Sequence, residues 1–296
     1  KLGGMKEILK KLRKYEIRIR KALNSQMQGD YHSIFKGSGL EFDDVRGYQY
    51  GDDVRAIDWN VTAKGQGTFI KTFKEEKEQN VFFILDVSAS QEIGTKGNQK
   101  IDIGKEICAL LAMSAIKEGS QSGLICFSDE KEKYIKPGKG IKQSYQIVSN
   151  IFNLVPSSIG TNLSLAFRYT LNLLKRKSII VVVSDFIDED YQHDMKAIAK
   201  LHDLVVIHIS DVRETTFPKL GIIPLEDKES NKTLWMNTSS PAFRKMVDRT
   251  YKNNQDELKK FCMKNGANYL HVRTDEDYVS KLIRLFKVRN KSRKSG

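Results

Sequence analysis

Asp86, Ser88 and Ser90 stand on alternate residues at the end of an unbroken apolar run, Val81-Phe82-Phe83-Ile84-Leu85. A carboxylate and two hydroxyls offer oxygen ligands only, which suits a hard cation such as Mg²⁺ or Mn²⁺ rather than zinc or copper. Two later places can complete such a set. Gly160-Thr161-Asn162 precedes a stretch with apolar residues at Leu163, Leu165, Ala166, Phe167, Leu171 and Leu174, so the Thr161 hydroxyl is expected on a loop entering a helix. Ile179-Ile180-Val181-Val182-Val183-Ser184-Asp185 is a second buried run that ends in a carboxylate. The candidate metal ligands are therefore Asp86, Ser88, Ser90, Thr161 and Asp185. Mg²⁺ keeps near-octahedral geometry, so this set leaves at least one coordination place open.

Two other readings compete for the same residues. Asp-x-Ser-x-Ser after a strand also forms turns in which Asp86 and Ser88 bond nearby backbone amides. A strand followed by an aspartate also opens the phosphatases of the haloacid dehalogenase type. Those enzymes need a second Asp two residues on as general acid, and Ser88 holds that place here and cannot do that work. No nucleophile and base pair accompanies the triplet, so the expectation is a binding device rather than an enzyme.

The elements needed to position these residues can be read from the hydrophobic pattern. The apolar runs are expected as strands covered on both faces, and in open parallel sheets ligands bind at the carboxyl ends of such strands. Residues 101–117, 141–154, 161–174 and 195–201 carry helical spacing, while 123–127 and 204–209 read as further strands. Residues 222–225 and 233–236, separated by a polar stretch, predict a small hairpin. Ser240-Pro241 suits a helix start leading to about Lys264. Tyr269-Leu270-His271-Val272 predicts an edge strand, and 275–286 a closing helix. This alternation predicts an α/β fold, a doubly wound and mostly parallel sheet flanked by helices, joined by right-handed crossovers.

The chain has 296 residues, 40% of them hydrophobic, and a formal charge of +13. The excess charge sits at the ends. Residues 5–28 are expected as a basic amphipathic helix, with Met5, Ile8, Leu9, Leu12, Tyr15, Ile19 and Leu23 on one face, and 289–296 as a basic tail. Such a helix docks with a solvated basic face or lies on an anionic membrane surface. No nucleic-acid motif accompanies it, so nucleic acid is not the expected partner. No apolar run reaches the roughly 20 residues of a membrane span. The expected location is the cytoplasm, with peripheral contact at the inner face of the membrane through the basic ends as the variant. Cys108, Cys126 and Cys262 are too scattered for a disulfide framework or zinc knuckle, and the five histidines show no ligand spacing.

Residues 29–79 differ from the rest, being rich in Gly, Asp and aromatics, and are expected as a turn-rich module packed on the main domain of residues 80–288. Arg46 and Arg55 are expected to pair with Asp44, Asp53 or Asp58. Asp58 and Trp59 are expected to tie the module to the sheet, with the indole buried. Ser38-Gly39-Leu40-Glu41-Phe42-Asp43-Asp44-Val45-Arg46, the stretch from Tyr48 to Ala63, Phe73-Lys74-Glu75-Glu76 and Leu85-Asp86-Val87-Ser88-Ala89-Ser90 resemble the bacterial domain-of-unknown-function 58 family. The ordered set Asp86, Ser88, Ser90, Thr161 and Asp185 likewise resembles the metal-ion-dependent adhesion site of von Willebrand factor type A domains. These resemblances imply a type A-like domain behind a family-specific module, in which a partner's Asp or Glu completes the shell of a bound Mg²⁺. They also imply work beside a MoxR-type AAA+ ATPase in assembling or activating other proteins. A divalent-metal hydrolase using Asp86 and Asp185, or a basic membrane- or nucleic-acid-binding adaptor, are the alternatives. Phe186 follows Asp185 where adhesion-type domains commonly have Gly.

Overall fold

The structure is a computed structural model that describes residues 6–14, 17, 40–65, 67–75, 79–214, 216, 220–227 and 232–294. Helix α1 covers residues 6–14. Strands β1 (Leu40–Gly47) and β2 (Phe69–Glu75) then form an antiparallel ribbon, with the single-turn helix α2 (Trp59–Thr62) between them. The two-strand frame in this region is an addition to the turn-rich reading. Arg46 pairs with Asp52 at 2.8 Å rather than with the expected carboxylates. The Asp58 carboxylate caps α2 by accepting from the Asn60 and Val61 N–H groups. Trp59 is 68% exposed, so the expectation of a buried indole is overturned.

The main sheet begins at β3 (Asn80–Asp86), which the short ribbon of β4 (Gly94–Thr95) and β5 (Asn98–Gln99) separates from α3 (Lys100–Lys117). There follow β6 (Gln121–Phe127), β7 (Lys131–Gly138), α4 (Gly140–Asn153), α5 (Leu163–Leu173), β8 (Ile179–Ser184), α6 (Gln192–Leu201) and β9 (Asp203–Ser210). A ribbon of β10 (Ile222–Asp227) and β11 (Lys232–Asn237) precedes α7 (Pro241–Lys264), β12 (Asn268–Arg273) and α8 (Tyr278–Lys294). The six strands lie in the order β12-β9-β8-β3-β6-β7 and are parallel apart from β7 at the edge. This is the mostly parallel α/β sheet expected from the alternating runs.

Side-chain alternation sends Val81, Phe83 and Leu85 to one face of the sheet and Phe82 and Ile84 to the other. On the first face lie α3, α4, α8 and Leu12 of α1; on the second lie α5, α6 and residues of α7. Helix α3 is apolar nearly all round because it is sandwiched between the sheet and other helices. A Cβ at Gly104 would meet Leu85 Cδ1 at 3.2 Å, which shows how closely α3 lies on the sheet.

Strand β7 was not expected, because its sequence, Lys131-Glu-Lys-Tyr-Ile-Lys-Pro-Gly138, is dominated by charge and contains a proline. Lysines and Pro137 protect an edge strand from pairing with other chains, so that composition fits its position. The basic C-terminal end also departs from expectation. Helix α8 runs past residue 288 to Lys294, and the buried Arg289 pairs with Asp203 at 2.5 Å rather than opening a basic tail. At the other end, Leu12 is fully buried and Lys11 pairs with Glu106, so α1 docks on the sheet domain over its described length. The remainder of the 5–28 segment, apart from Ile17, lies outside the described residues, as does His32. The three cysteines are free and buried.

Candidate functional site

Numbered by chain order within the main sheet, the strands run 3-2-1-4-5-6 from β7 to β12, so β3 and β8 are the neighbours at which the winding direction reverses. Helices leave the carboxyl ends of two such strands toward opposite faces, which opens a crevice there. Asp86 is the last residue of β3, and Asp185 follows the last residue of β8. Register puts Leu85 opposite Val183, so Asp86 and Ser184 are the next cross-strand pair.

That pairing determines how Asp86 is held. Its Oδ2 accepts from the Ser184 hydroxyl at 2.6 Å and from the Gln91 amide at 3.1 Å, while its Oδ1 accepts from the Ser88 N–H at 3.0 Å. Ser88 Oγ lies 3.1 Å from Ser90 Oγ, and the Ser90 hydroxyl donates to Asp185 Oδ2 at 2.9 Å. Four of the five expected ligand residues are thus brought into one hydrogen-bonded cluster. The Asx turn made by Asp86 and Ser88, the competing reading, is present too and serves to present the hydroxyls.

The Thr161 loop reaches the same end of the sheet. The Ala89 N–H donates to the Ile159 carbonyl at 2.9 Å, and the Asn162 N–H donates to the Ser128 carbonyl at 3.1 Å. Thr161 is half-buried on this loop, and Asn162 caps α5, so the helix starts at Leu163 and not at Thr161. A Cβ at Gly160 would stand 2.9 Å from the Asp129 carboxylate, so a larger residue there would have to push that side chain aside. Glu132, on the edge strand β7, gathers the loop's start by accepting from the Ser157 and Ser158 N–H groups at 2.9 and 3.0 Å and from both the Ser157 and Ser128 hydroxyls. Burial pushes the Glu132 carboxyl up, but the N–H groups of Ser157 and Ser158 outweigh it and hold the group below its ordinary value.

Burial pushes Asp86 up to about 7, with the neighbouring charge of Asp185 adding to the effect. Asp86, Asp185 and Glu214 bring three buried carboxylates to this end of the sheet against the single ammonium of Lys100, which leaves the site short of positive charge. Oxygen donors of two carboxylates and two hydroxyls, together with that deficit, fit a hard divalent cation. Among the described residues no three His, Cys, Asp or Glu side chains come together as a metal-binding group, so the fit depends on the serine hydroxyls.

Sequence reasoning missed four members of the cluster. Ser184 and Gln91 hold Asp86, and Lys100, the first residue of α3, donates to Asp185 Oδ2 at 2.7 Å and also to Glu214. A signal for Lys100 existed, because it falls on the buried stripe of Ile103, Gly104 and Ile107. For Ser184 and Glu214 the pairing could not be read without knowing which strands are neighbours.

Behind Asp185 the chain takes a left-handed turn at Phe186, with φ of 55°, a position where a glycine would be free of steric cost. The Phe186 ring is buried against Tyr191 and His208 at centroid separations of 5.9 and 6.1 Å, which holds the turn in place. Asp185, Phe186, Asp188, Glu189, Tyr251 and Glu257 line part of a cleft of about 660 Å³ beside the cluster.

The sequence matches the family described as protein of unknown function DUF58 over residues 44–257. The chain belongs to that family. Similar proteins include the uncharacterized proteins Mb1516 of Mycobacterium bovis and Rv1480 of Mycobacterium tuberculosis, each 25% identical over 288 residues, covering 96% of this chain and 90% of theirs. Among solved structures, an aerotolerance-related membrane protein from Bacteroides fragilis aligns with a TM-score of 0.50 at 14% identity, over 72% of this chain and 99% of that one. BatB from Bacteroides thetaiotaomicron aligns at 0.48 and 12% identity over the same shares. The von Willebrand type A domain of SpRpn10 aligns at 0.41 and 10%, covering 69% of this chain and 93% of that domain. This DUF58 chain thus shares its α/β fold with the Bacteroides fragilis protein, and Asp86 and Asp185 lie at the switch point of its sheet. None of the helices among its described residues is long and apolar enough to cross a membrane.

Proposed function

We propose that this DUF58 protein is a metal-dependent protein-interaction module that works with a MoxR-type AAA+ ATPase in the assembly or activation of other proteins. The observation that carries the reading is the meeting of Asp86, Ser88, Ser90 and Asp185 at the switch point, with Asp86 held above the usual carboxylate range by burial and by the neighbouring charge of Asp185. Asp86, Ser88, Ser90 and Asp185, with Thr161 from the adjoining loop, would hold Mg²⁺ or Mn²⁺. Such an ion supplies a Lewis-acidic centre with an open place for a partner's Asp or Glu. The protein's own residues do the rest. Ser184 and Gln91 orient Asp86, Glu132 holds the Thr161 loop, and the Phe186 turn fixes the direction of Asp185. The site binds rather than turns over substrate, and the exposed basic residues of α1 offer a separate contact to an anionic membrane surface.

The test compares the parent and Ser88→Ala proteins for binding to the AAA+ ATPase, each with Mg²⁺ and with chelator. The expected result is tight binding by the parent with Mg²⁺ alone. Loss with chelator should exceed the loss caused by moderate salt, which chiefly screens exposed charges. Equal affinity in all four combinations overturns the reading. Phosphoester turnover that vanishes in Asp86→Ala would replace it with the hydrolase.

A further inference from the structure

Lys100 is completely buried, and its ammonium lies between Asp185 and Glu214. Its position is costly twice over. A buried ammonium loses its hydration, and at the first residue of α3 it stands at the positive end of a helix dipole. The carboxylates of Asp185 and Glu214 balance that charge by direct ion pairs. A charge kept under such conditions needs a specific role, and the geometry supplies one. Asp185 Oδ2 takes both the Lys100 ammonium at 2.7 Å and the Ser90 hydroxyl at 2.9 Å, so the same oxygen joins Lys100 to the candidate metal ligands. Glu214 is itself anchored, since its Oε2 accepts from the Asp211 N–H at 2.8 Å just after β9. The three side chains therefore tie together the ends of β8 and β9 and the start of α3.

We propose that Lys100 is a resident counterion of this site, sharing Asp185 with the divalent ion at the Asp86, Ser88 and Ser90 position. Lys100 assembles the β8 end of the site without metal, and a divalent ion completes the cluster rather than creating it. Lys100 also sets affinity, because its fixed positive charge opposes a second cation a few ångströms away. This rests on the metal reading above, but its test separates the two.

The experiment measures Mn²⁺ binding by electron paramagnetic resonance, and thermal melting with and without Mg²⁺, for the parent, Lys100→Met and the double variant Lys100→Met with Glu214→Gln. The single variant leaves two unbalanced carboxylates, whereas the double variant restores the parent's net charge for the trio. In chelator, Lys100→Met should melt well below the parent, with the double variant recovering part of the loss. With Mg²⁺ the single variant should gain more in melting temperature than the parent and bind Mn²⁺ about tenfold more tightly. If Lys100→Met does not fold in chelator, its recovery on adding Mg²⁺ carries the same information. Equal Mn²⁺ affinity in all three proteins, or a single variant as stable as the parent in chelator, overturns the proposal. Absence of Mn²⁺ binding by the parent and both variants would instead overturn the metal reading, with the melting order in chelator still reporting on Lys100 as counterion.

Discussion

At the scale of single residues, placement in the sheet decides chemistry more than residue type does. His208, on β9, is nearly fully buried beside Phe186 and within hydrogen-bonding distance of the Tyr269 hydroxyl at 2.9 Å. Burial pulls it down to about 3 from an ordinary value of 6.5, with the nearby His271 adding to the shift. Below pH 6.5 the unfolded chain takes up a proton that the folded chain refuses, so this group's contribution is complete above that pH and is lost as the solution is acidified. The share of stability that His208 contributes should therefore be lost between about pH 6.5 and 3, so acidification over that range should cost the parent more than His208→Gln. An unchanged slope in the variant would assign the dependence to other groups. Trp59 gives the opposite case. Because its ring stands in solvent, Trp59→Ala should change unfolding free energy by about 0.5 kcal/mol or less, measured by denaturant titration. A loss of several kcal/mol would restore the buried role that its sequence context suggested.

At the scale of elements, loops and helix ends hold the site at a distance. Glu132 belongs to the edge strand yet holds the loop that carries Thr161. Glu132→Gln is expected to weaken Mn²⁺ binding by about tenfold, the effect of losing an outer partner that orients a ligand, and to lower the melting temperature modestly, because an amide nitrogen cannot accept from the serine N–H and hydroxyl groups. A variant that binds Mn²⁺ as the parent does would show that the Thr161 loop takes no part. Helix α1 was open between docking and membrane binding when judged by its amphipathic pattern. Leu12 shows that α1 docks, with its exposed basic face still open to a membrane surface, and Leu12→Ala should cost about 3 kcal/mol of stability in the absence of any lipid. The legible elements were those with an unbroken apolar run, such as β3, β8 and β9, or a clear start signal, such as Ser240-Pro241 ahead of α7. Strand β7 and the β1 and β2 ribbon were not, because an exposed edge or a two-stranded ribbon lacks the buried apolar run that marks a central strand.

At the scale of the whole molecule, stability and ligation are linked through the cluster that joins β3, β8, β9 and α3. An ion that binds only the folded chain should raise stability by about 2.7 kcal/mol at a hundredfold excess over its dissociation constant. Melting followed against Mg²⁺ concentration should rise for the parent and stay flat for Asp86→Ala. A flat curve for the parent would leave the cluster as a hydrogen-bonded turn with a salt bridge behind it.

The chain's local pattern determined the α/β class, the two carboxylate-bearing strand ends and the alternating hydroxyls, since each depends on a period or spacing contained within a few residues. Tertiary structure alone decided that Ser184 faces Asp86 across two strands, that Glu132 reaches the Thr161 loop and that Lys100 and Glu214 meet at Asp185. Such partners lie tens to more than a hundred residues apart in sequence, and only strand order and register bring their side chains within hydrogen-bonding distance. The electrostatic character of the site is tertiary for the same reason. An aspartate's preference for its charge depends on how deeply it is buried and which other charges share that burial, and neither is written in its neighbours along the chain.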